Sequence, residues 1–299
     1  MTIASFDETR YAEPAGPAFT WRNIARALVF LAVAAFLGAC FSAAKVDLAK
    51  LADGLPKIAS WFQQMFPPDL RDIDRVLRDA FQTLAMATVG TVGALLVCIP
   101  LVPLAARNTT PNLLAYRLVR AVFGMLRGTE ILVFALIFVA AVGFGPFTGV
   151  LAIMFNMVGA LGKLLTEVIE PADPGPVEAV DLTGAGPVRA FRYALLPDVW
   201  PNVVAVTLYI WEFNVRASTV LGIVGAGGIG QTLKDSIDLL DFPKMATVLG
   251  VILAMVIAID TLSAYLRRLV LSPDSAATRP GAPTRLPEGE GRVTAAEGI

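Results

Sequence analysis

The chain contains no histidine. That removes the commonest general base near neutral pH and the commonest metal ligand. It also leaves no Ser/His or Cys/His pair for nucleophilic catalysis. No Gly-x-x-x-x-Gly-Lys-Ser/Thr string occurs, so any ATP must be hydrolysed by another chain. Only two cysteines are present, Cys40 and Cys98. Both lie in apolar runs that should end near opposite faces of a membrane, which rules against a disulfide between them. Charge is scarce too: Asp, Glu, Lys and Arg make up 16% of residues, against roughly a quarter in soluble domains. The net charge of −1 offers no basic surface to a nucleic acid.

What is present is apolar sequence, 56% of the chain. It falls into six runs expected to form helical spans: 24–43, 81–105, one centred on 131–142, 147–165, 203–224 and 245–266. A run of about 20 residues crosses the hydrocarbon core. The third is too short and must borrow upstream residues near 124–130, where Arg127 and Glu130 can snorkel or pair. Pro100 and Pro103 should bend or end the second. Residues 45–79 read as a mixed-charge connection with Trp61 and Phe62 suited to an interface, and 107–120 as a basic connection. The fold class is therefore all-α and polytopic, a membrane domain over 21–271 between polar tails at 1–20 and 272–299 that should be disordered.

Arginine placement orients the spans. Arg22 and Arg26, Arg107 and Arg120, Arg189 and Arg192, and Arg267-Arg268 all fall on one side, which the positive-inside rule assigns to the cytoplasm. Both termini are expected there, in a bacterial inner membrane. Leu37-Gly38-Ala39-Cys40 has the form of a lipoprotein cleavage site, but five further spans and a long polar N-terminus favour a plain cysteine at the end of a span.

A polar stretch at about 171–200 separates the fourth and fifth runs. It reads Glu178-Ala179-Val180, three residues, Gly184, nine residues, then Ala194-Leu195-Leu196-Pro197. This resembles the cytoplasmic loop of ABC-importer permeases: Glu-Ala-Ala, three residues, Gly, nine residues, Ile, any residue, Leu-Pro. Pro174 and Pro176 can start one short helix, Gly184 and Gly186-Pro187 break it, and 188–196 can form a second. The resemblance implies that Glu178, Ala179, Gly184, Leu196 and Pro197 dock on an ATPase.

Other strings are similar to the phosphonate-importer permeases (PhnE). They are Val142-Gly143-Phe144-Gly145-Pro146-Phe147, Leu161-Gly162-Lys163-Leu164, Glu212-Phe213-Asn214-Val215-Arg216-Ala217, Leu221-Gly222-Ile223-Val224-Gly225-Ala226-Gly227-Gly228-Ile229-Gly230, and Asp260-Thr261-Leu262-Ser263. The likeness covers about 65–270. It departs at Glu130-Ile131, where that family commonly has Pro-Glu, and at Asn156, where a histidine is common. The resemblance implies a type I, methionine-permease-like fold. It also implies a second copy of the chain, a cytoplasmic ATPase dimer holding ATP and Mg, and a periplasmic or lipid-anchored substrate-binding protein. No cofactor is expected in the chain itself. Methionine-type and phosphate- or phosphite-type importers remain alternatives, and an ion-coupled secondary transporter is the alternative of a different class.

Several residues carry two readings each. Gly225, Gly227, Gly228 and Gly230 match a dinucleotide fingerprint, but a membrane span precedes them, so nucleotide binding is rejected. They form either a tight re-entrant turn or an anion contact at the start of the helix that follows. Glu212 and Arg216, four apart, share a helical face. Arg216 is either a structural partner of Glu212 or a positive charge presented to a passing anion, with Asn214 beside it. Helical rise from Pro201 and from Arg267 places Arg216 and Asp260 about 12 Å apart in depth, against direct pairing. Asp260 and Ser263 are open between packing and pathway. Lys163, Glu167 and Glu170 read as the water boundary of the fourth span.

Overall fold

The computed structural model describes residues 21–271 apart from 46 and 111, so both expected tails lie outside the described residues. Every regular element among the described residues is helical. The chain divides into two units, Met1–Trp61 and Phe62–Ile299. The first contains α1 (Trp21–Ala43) and most of α2 (Leu48–Gln64). α1 carries a candidate span, Asn23–Ala43, and its apolar side chains, Phe30, Phe36 and Leu37 among them, are exposed. The segment expected as a mixed-charge connection holds the helix α2, whose start Asp47 caps, accepting from Ala49 N and Lys50 N at 3.0 and 3.1 Å.

The second unit is built around α6 (Pro146–Ile169), which packs on α3 (Ile73–Ala105), α4 (Leu113–Gly128), α5 (Ile131–Val142) and α9 (Leu196–Leu221). Small residues make that packing possible. A Cβ on Gly90 of α3 would stand 2.7 Å from Ile153 of α6; one on Gly162 would stand 2.5 Å from the Phe123 ring of α4. Ala94, Ala152 and Leu161 are wholly buried there. α3 starts before the expected span and runs through both prolines. They sit in its last two turns, where Ala106 N donates to Val102 O at 3.1 Å and Thr109 Oγ1 donates to the freed Pro103 O at 2.6 Å.

The third span differs most from expectation. Only 106–112 is a connection. α4 and α5 are two half-helices bent by 89° at 129–130. Alone, the 12 residues of α5 reach about 18 Å. Asn156 Nδ2 of α6 donates to Thr129 O at 2.8 Å and so satisfies a carbonyl released by the break. Among the described residues, five helices are long and apolar enough to cross a membrane, six if the bent pair counts as one.

Between α6 and α9 lie α7 (Pro174–Asp181), α8 (Pro187–Ala190) and a wide turn, Phe191–Leu195, that runs without interruption into α9. Asp173 caps α7, accepting from Gly175 N at 2.9 Å, with Pro174 at the first position. Beyond α9 the chain folds back through Gly222–Ala226 into α10 (Ile229–Asp238) and then α11 (Phe242–Leu271).

Candidate functional site

Three constellations carry the residues singled out by the sequence. The first is the knob formed by α7 and α8. Glu178, Ala179, Gly184 and Pro197 are exposed and Leu196 is half-buried. Gly184 and Gly186 take φ of +75° and +78°, turning the chain between the two helices with nothing close to them. Buried Ala190, Ala194 and Leu195 anchor the knob, while Leu182 and Val188 stand 90% and 79% exposed. A cleft of about 820 Å³ lies under it, edged by Val177, Glu178, Asp181, Pro187 and Phe191. Apolar side chains this exposed, beside two acids, make a surface suited to a protein partner.

The knob is fastened at its root. Glu170, the residue after α6, accepts from Arg120 Nη1 and Nη2 at 3.1 and 3.3 Å and from Arg107 N at 3.2 Å. Tyr116 Oη accepts from Arg107 Nε at 2.8 Å and from Arg120. The hydrogen bond to Tyr116 pushes the Arg107 pKa above its ordinary value, with the Tyr116 and Glu170 charges adding to it. Glu170 therefore does more than mark a water boundary: it ties α4 to the start of the knob. Lys163 and Glu167 pair with each other, their side chains well exposed, at 3.7 Å.

The second constellation joins α9 to α11. Glu212 Oε1 accepts from Arg216 Nη2 at 2.8 Å, and Glu212 Oε2 accepts from Arg267 Nη2 at 3.1 Å. Arg216 Nη1 also reaches Asp260 Oδ2 at 3.5 Å. The expected separation of Arg216 from Asp260 is thus incorrect. The ruler fails because Pro201 and Arg267 do not share a plane. Arg267 meets Glu212, which lies about 16 Å along the helix from Pro201, so the lower part of α9 continues past the level of Arg267. Arg267 completes the cluster and was not foreseen; its signal was a basic residue on α11 at the end of a face shared with Asp260 and Ser263. Asn214 points elsewhere. It is fully buried against α3, with Nδ2 donating to Thr91 Oγ1 at 2.8 Å.

The third is the glycine turn. Gly225, Gly227 and Gly228 have φ of +96°, +83° and +72°. The N–H groups at the start of α10 already have partners: Gly228 N donates to Gln82 Oε1 at 3.0 Å and Ile229 N to Thr83 Oγ1 at 2.8 Å. Gly230 sits so close to α9 that a Cβ would lie 1.8 Å from Thr219 O. A polar hollow of about 360 Å³ opens beside the turn, edged by Arg75, Asp79, Gln82, Gln231 and Asp235. Sequence reasoning passed over Asp79, Gln82 and Thr83, whose signal was polar residues three and four apart at the head of an apolar helix. The turn and the Arg216 cluster use different partners: Gln82 and Thr83 of α3 for the turn, and Glu212, Asp260 and Arg267 for Arg216 and its neighbours.

Residues 99–272 match the family described as the binding-protein-dependent transport system inner membrane component. Over 250 residues the chain is 56% identical to HtxC of Stutzerimonas stutzeri, whose name assigns it to a phosphite transport system as a permease; the match covers 84% of this chain and 88% of HtxC. PtxC of the same organism, a phosphite transport system permease, is 40% identical over 248 residues, covering 83% of this chain and 90% of PtxC. Among solved structures, the inward-facing MetNI methionine ABC transporter shares the fold with a TM-score of 0.60. It is 21% identical, and the match covers 68% of this chain and 99% of that one.

Proposed function

Because this chain belongs to the family of binding-protein-dependent transport system inner membrane components, we propose that it is the membrane subunit of an ABC importer for a phosphorus oxyanion, with phosphite and phosphonates the first candidates. The observation that carries the coupling part is the knob: Glu178, Ala179, Gly184, Leu196 and Pro197, spaced as in importer permeases, on a projection joined to two spans. The substrate class is supported by the phosphite systems for which HtxC and PtxC are named. The methionine transporter supports the fold and not the ligand, at 21% identity.

The chain works with a second permease subunit, in the first instance another copy of itself. An ATPase dimer holds ATP and Mg at the knobs, and a binding protein delivers ligand from outside. Closure of the ATPases favours the conformer in which the knobs stand closer, and that differential contact turns the path outward. Arg216, the arginine deepest in an apolar helix, faces the passing anion. The chain itself carries out no hydrolysis.

The test is reconstitution in proteoliposomes with the ATPase and the binding protein. ATP-dependent uptake of phosphite or methylphosphonate is expected; uptake driven by a proton or sodium gradient without ATP would establish the ion-coupled alternative instead. Orientation is tested by single cysteines at 184 and 57 in a background lacking Cys40 and Cys98. An impermeant reagent applied from outside should label 57 only, and labelling at 184 would reverse the assignment.

A further inference from the structure

The cluster on α9 and α11 has two arginines and two carboxylates, and the two carboxylates are held very differently. Glu212 is gripped on both oxygens, at 2.8 and 3.1 Å, and its side chain is 11% exposed. Asp260 has a single contact, at 3.5 Å, and its side chain is 41% exposed. Its other oxygen, Oδ1, is buried without a donor. A half-satisfied carboxylate at membrane depth is costly to keep, so its presence calls for a reason other than packing.

Arg216 is split in the same way. Nη2 is committed to Glu212, while Nη1 has only the long contact to Asp260, and the side chain is 45% exposed. A guanidinium edge takes two oxygens of a tetrahedral oxyanion in parallel at shorter range than 3.5 Å. The anion is thus the better partner for that edge. Removing Asp260 altogether would leave Arg216, Arg267 and Glu212 with one uncancelled positive charge inside the membrane, a site that anions would enter readily and leave slowly.

One turn from Asp260 is Ser263. Its hydroxyl is buried and also lacks a partner, and the two residues share a face of α11 by their i, i+3 spacing. A hydroxyl is the donor a displaced carboxylate needs. Two unsatisfied groups, one of each kind, therefore stand beside the one weak contact in the cluster.

We propose that Asp260 is an exchangeable counter-ion: its carboxylate occupies Arg216 while the path is empty, and yields that place to the oxyanion by turning toward Ser263. The path stays neutral when empty, and the anion leaves easily because Asp260 returns. The inference rests on the oxyanion reading above, and it adds Asp260 and Ser263 to the residues that set how tightly the membrane subunit holds its cargo.

Equilibrium binding of labelled phosphite, and separately of sulfate as a tetrahedral oxyanion outside the substrate class, would be measured on the purified permease–ATPase complex without binding protein. D260N keeps the Glu212–Arg216 pair and should bind both anions roughly threefold to tenfold more tightly, with slower uptake in proteoliposomes. S263A should shift binding the other way, because the displaced carboxylate loses its donor. D260E, which keeps the charge, should restore most of the wild-type behaviour. Binding by D260N no tighter than wild type would overturn the exchange. So would loss of uptake in D260N with both affinities unmoved, which marks Asp260 as a packing residue or a contact to the second subunit. The two readings fail separately: a wild-type complex that imports no phosphorus oxyanion sinks the substrate class, while the sulfate arm still decides the exchange.

Discussion

Gly184 and Gly186 in the knob have positive φ and open space where a Cβ would stand. Gly228 in the turn also has positive φ, but a Cβ there would meet Thr83 Oγ1 at 2.3 Å. Gly230 needs no unusual φ at all and still has no room, with Thr219 O at 1.8 Å. Glycine thus answers to the backbone alone in the knob, and to both the backbone and its neighbours in the turn. An exposed turn with open space around it is constrained only by its own path, whereas a turn packed against α3 and α9 is constrained by its neighbours as well.

Substitutions sharpen that contrast. The largest effect is expected from Gly230→Ala. Overpacking costs about 1–3 kcal/mol where neighbours can give way, and a carbonyl on α9 cannot. Little folded chain should survive detergent extraction, as size-exclusion profile and thermal melting would show. A normally melting variant would mean that the turn is looser than its distances. Next come Gly184→Arg and Glu178→Lys. Both should insert, Glu178→Lys with a normal melt and Gly184→Arg with about 1 kcal/mol of backbone strain, yet each should lose uptake by about tenfold or more, since bulk or reversed charge opposes docking. Full uptake with normal copurification of the ATPase would remove the knob's assigned role. Gln82→Ala strips the acceptor from Gly228 N and should cost about 1–3 kcal/mol of stability, with Gln82→Glu, which keeps an acceptor, losing less. Smallest is Gly184→Ala, at about 1 kcal/mol of backbone strain and near-normal uptake. A collapse of stability there would show that the knob is packed after all.

Much of this was legible in the sequence because it depends on local pattern. The apolar runs locate α1, α3, α6, α9 and α11, although α3 and α9 start eight and seven residues before the expected spans. The Pro, Gly and Pro punctuation of 174–187 locates α7 and the start of the second knob helix, which continues into α9 instead of stopping at 196. What was not legible depends on partners distant in the chain. The 107–120 segment looks like a basic connection because Arg120 appears unneutralised, yet its partner Glu170 is 50 residues away. With that charge answered and Phe123 buried on α6, the segment is a helix and half of a bent span. The Arg216–Asp260 contact was missed because counting residues from a proline assumes that the proline marks the membrane face. At the glycine turn the sequence left two readings open, and only Gln82 and Thr83, more than 140 positions earlier, show where its N–H groups go.

The uninterrupted helical run from Pro187 to Leu221 has a mechanical consequence. It is a stiff rod about 50 Å long, and Glu212 and Arg216 on it are held by Arg267 and Asp260 on α11. Axial slip would break charged contacts at once, while swinging about their level keeps them, so they act as a fulcrum. It divides the rod unequally, with about 40 Å toward the knob and about 10 Å toward the glycine turn. A 4 Å displacement of the knob then arrives at the turn as about 1 Å in the opposite direction, a reduction gear of roughly four to one. Larger movements at the knob end become smaller, more forceful ones at the end where Gly230 sits hard against α9.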